Sequence, residues 1–172
     1  MNANPQPSSA SSLPPNSGMS QRLIAGEITP AQFLGLSQEQ LYALASRGYD
    51  LMVGGHTQSA IDILKGLTAA APYDSVFHCH LAAAYVQADR FQEGLESYNR
   101  SIQLNIANVD ALGGRSELLL REGKVAEALA DIQAALQLDP EAKRETTQRA
   151  RTALLLLQSM AETTEAAPSK QP

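Results

Sequence analysis

Residues 72–106 read PYDSVFHCHLAAAYVQADRFQEGLESYNRSIQLNI, and what surrounds that stretch repeats it at a fixed step of 34 residues. Pro72, Ile106 and Pro140 share one column of the repeat. Leu44, His78 and Leu112 share a second, and the small residues Gly48, Ala82 and Ser116 a third. Leu51, Tyr85 and Leu119 follow in register, then Gly55, Asp89 and Gly123, then Ala60, Gly94 and Ala128, and last Leu64, Tyr98 and Ile132. No insertion or deletion interrupts the three units. Each unit carries two apolar stretches of helical period separated by a Gly or Asp turn, which is the signature of a helix hairpin.

Period and columns match the tetratricopeptide pattern of large, small and turn residues. Small residues let the two helices of a hairpin approach closely, large ones fill the seam, and Gly or Asp relaxes the turn. One hairpin cannot bury its own apolar face, so the units must stack. The expected fold is all-α: a right-handed superhelix of three tetratricopeptide hairpins, with an N-terminal helical extension and a C-terminal capping helix. The divisions are 1–18 (disordered Pro/Ser-rich tail), 19–40 (extension), 41–74, 75–108 and 109–142 (the repeats), 143–160 (capping helix) and 161–172 (disordered tail). Thr29-Pro30-Ala31-Gln32 and Ser37-Gln38-Glu39-Gln40 read as capping boxes. Asp74 and Asn108 are placed to cap the first helices of units two and three, and Asp139-Pro140 to end one unit and cap the next helix. Arg47 and Arg115 stand where the pattern wants leucine; their stems lie on the seam with the heads in water.

Composition narrows the function. The formal charge of −5 gives no basic footprint for nucleic acid. One cysteine, Cys79, excludes an internal disulfide and suits a reducing compartment. No apolar run approaches the roughly 18–20 residues of a membrane helix, and the first eighteen residues lack the basic and apolar regions of a secretory signal. These features predict a soluble, cytoplasmic protein.

Hairpins stacked with a constant rotation enclose a concave face lined by their first helices. Unit one offers Tyr42, Ala45, Ser46, Tyr49, Met52 and Val53. Unit two offers Val76, Cys79, His80, Ala83, Val86 and Gln87, and unit three Asp110, Gly113, Gly114, Glu117, Leu120 and Arg121. An apolar, aromatic lining with a few polar groups suits an extended apolar peptide, with hydrogen bonds to its backbone from Gln87 or Arg121. A carboxylate clamp would need a Lys/Arg cluster that is missing. The opposing readings are structural: Tyr42 serves the core as well as it serves a groove, and His78 sits in a seam column.

Catalysis and metal binding find little support. His78-Cys79-His80 places its histidines on different helix faces, and no zinc-type ligand spacing occurs elsewhere. Cys79 has no orienting partner beyond its neighbouring histidine, and Gly54-Gly55 and Gly113-Gly114 lack the Lys-Ser/Thr of a phosphate loop. The expectation is a protein that is not an enzyme and needs no cofactor.

Leu41-Tyr42-Ala43-Leu44-Ala45, preceded by AGEITPAQFLGLSQEQ, resembles the entry to the class II chaperones of bacterial type III secretion. Pro72-Tyr73-Asp74-Ser75-Val76-Phe77, continuing to Gln87 and Arg90-Phe91, is similar to the same family, as is LLLREGKVAEA of unit three. The likeness spans about residues 23–160. Gly55-His56-Thr57 departs from it by lacking an aromatic after the turn, and the Pro/Ser-rich tail is no hallmark of the family. The resemblance implies a chaperone that holds two hydrophobic, pore-forming translocator proteins in the bacterial cytoplasm, soluble and apart, until export. It implies that an extended segment near the translocator's N-terminus lies in the groove against Tyr42, Tyr49, Cys79, His80 and Gln87. It also implies weak homodimerisation through Leu23, Ile24, Phe33 and Leu34. The competing expectation is a general repeat scaffold joining folded partners in an envelope or pilus assembly.

Overall fold

The computed structural model describes residues 17–165; of the tails expected over 1–18 and 161–172, residues 1–16 and 166–172 lie outside the described residues, while Ser17 and Gly18 already belong to the first helix. A short extension, α1 (Ser17–Ile24) and α2 (Pro30–Phe33), leads into three antiparallel hairpins. These are α3 (Gln38–Val53) with α4 (Thr57–Ala70), α5 (Ser75–Gln87) with α6 (Phe91–Leu104), and α7 (Val109–Arg121) with α8 (Val125–Leu138). Helix α9 (Glu145–Glu165) lies against both α7 and α8. The architecture is an all-α tetratricopeptide superhelix.

The helix starts follow from local chemistry. Thr29 and Ser37 each accept from the backbone N–H three residues on, while Gln32 and Gln40 reach back to the cap's own N–H, giving two complete capping boxes. Asp74 accepts from Val76 N and Asn108 from Ala111 N. At the hairpin turns Gly55, Asp89 and Gly123 all take left-handed backbone, with φ of 79°, 58° and 75°. Asp139 meets half of its sequence expectation: it closes unit three but does not stand directly at the start of the next helix. It ends α8, and its carboxylate accepts from Lys143 N and Arg144 N, so α9 begins only at Glu145. The far end of α9 also overruns its expected limit. Ala161-Glu162-Thr163-Thr164-Glu165 stay helical, because extending a formed helix costs far less than nucleating one.

Two apolar clusters form the interior. Leu41, Ile61, Leu64, Phe77 and Leu81 join hairpins one and two, and Ala82, Leu95, Tyr98, Ala111 and Leu118 join two and three. Gly48 and Gly94 permit the close approach: a Cβ on Gly94 would sit 2.9 Å from Val86. A buried polar knot crosses between units two and three. Ser101 Oγ donates to the Ser75 carbonyl (2.8 Å), and Asn108 Nδ2 donates to Ser75 Oγ (2.7 Å).

Two seam positions differ from their reading. Leu44 is 45% exposed, because α3 opens the stack and the short α2 packs on α4 instead. The Arg115 head is not left in water. It forms a bidentate pair with Asp131 (2.7 Å to each oxygen) and donates to Asn99 (2.8 Å).

Candidate functional site: a groove closed by the last helix

On the face shared by α3, α5 and α7 lies a cavity of about 390 Å³. Tyr49 and Met52 enter it from α3, and Cys79, His80 and Ala83 from α5. Their spacing of three and four residues puts each set on one side of its helix. The Tyr49 and His80 rings lie 6.3 Å apart. With Asp110 of α7, six residues read from the sequence as groove lining therefore meet around one space.

The other wall belongs to α9. Glu145, Thr146 and Arg149 line the cavity opposite α3, and charge pairs hold them there. Asp110 accepts from Arg144 and from Thr146 Oγ1 (2.7 Å), and Arg149 bridges Glu117 and Glu145 (2.7 Å each). Close contact is possible because Gly113 has no side chain; a Cβ there would sit 3.0 Å from Thr146. Tyr98 supplies the floor, reaching from α6 past Gly114, whose absent Cβ would fall 2.3 Å from the phenol oxygen.

Burial sets the ionisation of this space. The Cys79 thiol is pushed up to about 12, chiefly by desolvation and then by the Asp110 charge. Desolvation also raises Tyr98 and lowers His80, so the groups at the centre of the cavity are neutral at pH 7.

The remaining expected lining residues lie elsewhere. Ala45 is 2% exposed and packs in the core between Leu41 and Ile61, a correction to its groove assignment. Tyr42 stacks obliquely on Phe77 (5.2 Å between centroids) and donates to Asp74, so it ties α3 to α5 at the groove's edge. Ser46 is exposed on α3. The Gln87 amide donates to the Met52 carbonyl (3.0 Å), Glu117 is taken up by Arg149, and the Arg121 guanidinium lies 3.8 Å over Phe91. His78 sits within 3.0 Å of the Pro72 carbonyl, away from His80. In the extension, Ile24 and Leu34 are 87% and 66% exposed, while Leu23 and Phe33 are half-buried.

Sequence reasoning missed Tyr98, Glu145, Thr146 and Arg149. The available signal was the Gly113-Gly114 pair in columns that line the groove: two absent side chains must admit something from a neighbour.

Comparison with known proteins agrees with this architecture. The family model of the bacterial transcriptional activator domain matches residues 19–108. No curated protein matches the chain's sequence. Among solved structures, the translocator chaperone SycD of Yersinia enterocolitica superposes with a TM-score of 0.67 at 25% identity, covering 75% of this chain and 98% of SycD. SycD in complex with a peptide of the translocator YopD gives 0.64 at 24%, covering 73% and 97%. A type III secretion complex from Aeromonas hydrophila gives 0.71 at 19%, covering 85% of this chain and 99% of that one. The chain thus resembles the class II translocator chaperones, with their tetratricopeptide fold. Among the described residues no helix is long and apolar enough to cross a membrane.

Proposed function

We propose that this chain, which belongs to the bacterial transcriptional activator domain family, is a cytoplasmic chaperone of type III secretion that holds hydrophobic translocators through an extended segment in its groove. The observation that carries this reading is the cavity where Tyr49, Met52, Cys79, His80 and Ala83 converge, in a fold shared with a chaperone solved with a translocator peptide. The wall made by Tyr49, Met52 and Ala83 suits apolar side chains of an unfolded strand, which contributes its backbone hydrogen bonds and a few anchors. Binding acts by mass action: the bound segment is withdrawn from aggregation and from premature pairing. No chemical step is required. The exposed Ile24 and Leu34 support a weak homodimer through α1 and α2.

The competing reading is a general repeat scaffold that joins folded partners through its convex or edge surfaces. Calorimetry separates the two, using a capped, extended synthetic peptide of Ala, Pro, Val and Leu as the client strand. Ala83→Glu and Tyr49→Ala should each weaken binding about tenfold with unchanged helical content. Undiminished affinity in both variants removes the groove from the mechanism. Cys79, at 6% exposure, belongs to the core and is unsuited to such a charge insertion.

A further inference from the structure

Two polar groups in the groove have no structural task. Tyr98 is 6% exposed and fills a seam column that Leu64 and Ile132 occupy in the other units, so its ring needs no hydroxyl to do that work. Its oxygen nevertheless threads the gap left by Gly114 to reach the cavity, and among the described residues it has no hydrogen-bond partner. His80 lines the same cavity, and its Nδ1 is sealed from solvent and likewise unpartnered. The Tyr98 hydroxyl is open to the cavity, so its hydrogen-bonding capacity is free for a guest, while the sealed Nδ1 leaves His80 only Nε2 with which to act. The charged groups around them are already satisfied: Asp110 by Arg144 and Thr146, and Arg149 by Glu117 and Glu145. What remains open is neutral hydrogen-bonding capacity, in a space with Tyr49, Met52 and Ala83 on one side and the paired groups of Asp110 and α9 on the other.

We propose that this end of the groove is a polar subsite that seats one neutral carboxamide or hydroxyl side chain of the client strand, between Tyr98 Oη and the His80 imidazole. With no acceptor at Nδ1, the neutral ring keeps its proton on Nε2 and donates, while the phenol both donates and accepts. A carboxamide offers the matching acceptor and donor together. A charged guest would meet only paired charges and would bring its own desolvation penalty. The inference deepens the groove reading and rests on it. It adds that specificity comes from one polar residue in an otherwise apolar segment, since a site built to hydrogen-bond rejects a guest that lacks the group.

The test uses a capped ten-residue peptide of Ala, Pro, Val and Leu as parent, and a set in which a single glutamine is walked along it. Binding is read by fluorescence anisotropy on the full chain. One glutamine register should bind five- to tenfold tighter than the parent. The gain is read within each variant as the ratio of the glutamine peptide's affinity to the parent's; Tyr98→Phe, which keeps the ring, should bring that ratio to about one, and His80→Phe should halve the gain or more. If the parent binds and no glutamine register gains, or if Tyr98→Phe keeps the gain, the subsite is overturned and the groove reading survives. A lysine or glutamate gaining as much in the same register overturns its neutral chemistry. If no peptide binds, parent included, the groove reading falls and takes the subsite with it.

Discussion

Replacing Arg115 by leucine restores the residue that unit two carries at the same column, Leu81, and the structure predicts that this restoration destabilises the protein. In unit two the leucine faces a helix whose matching position is Ser97; in unit three that position is Asp131. The Asp131 side chain is 7% exposed and that of Arg115 25%, and both carboxylate oxygens are engaged by the guanidinium. Removing one member of a fully buried pair costs about 3–5 kcal/mol. The partial exposure of the arginine brings the figure for Arg115→Leu to about 2–3 kcal/mol, or a melting temperature lower by roughly 5–10 °C for a chain of this length. Arg115→Leu with Asp131→Ser rebuilds the unit-two pair and removes the orphaned charge, so the double variant should recover all but about 0.5 kcal/mol, a coupling of at least about 2 kcal/mol once the cost of Asp131→Ser alone is added. Urea unfolding followed by circular dichroism supplies the four corners of the cycle. A single variant within about 1 kcal/mol of wild type, or a double variant no better than the single, would refute the claim that the pair acts as a unit.

The hairpin turns and the buried thiol give two further tests. Asp89→Gly puts glycine where the backbone is left-handed (φ 58°), as it already is at Gly55 and Gly123, and should stabilise by about 0.5–1 kcal/mol; a thermal melt that does not rise contradicts the strain at that turn. The Cys79 thiol ionises at about 12 in the folded protein against 9.0 unperturbed. The unfolded chain therefore releases its proton first, and this contribution to stability is complete below pH 9 and lost as pH rises from there toward 12. Cys79→Ala should flatten that part of the alkaline unfolding curve, and alkylation of the native thiol at pH 8 should run at least a hundredfold slower than in denaturant.

The repeat was legible because each column obeys one physical demand: a small residue where helices touch, a large one in the seam, left-handed backbone at the turn. The two capping boxes were legible for the same reason, since their chemistry is complete within four residues. Half of the groove could be read in this way, from Tyr49, Met52, Cys79, His80 and Ala83 recurring on one face. The other half could not. Where Thr146 and Arg149 sit depends on how α9 slides along α7, and that register is fixed by Gly113 and by hydrogen-bonded pairs, charged and neutral, between residues 32 to 36 positions apart. Ala45 misled because a small residue on a groove-facing column serves equally well as core. Arg115 misled because its partner, Asp131, looked like an ordinary surface position on α8.

The wall contributed by α9 has a consequence in time. A ribosome that has released the three hairpins has made a trough lacking one side; Glu145, Thr146 and Arg149 must emerge before the cavity is finished. Cargo of the proposed kind then cannot be gripped by a half-made chain, and capture waits until synthesis has passed Arg149.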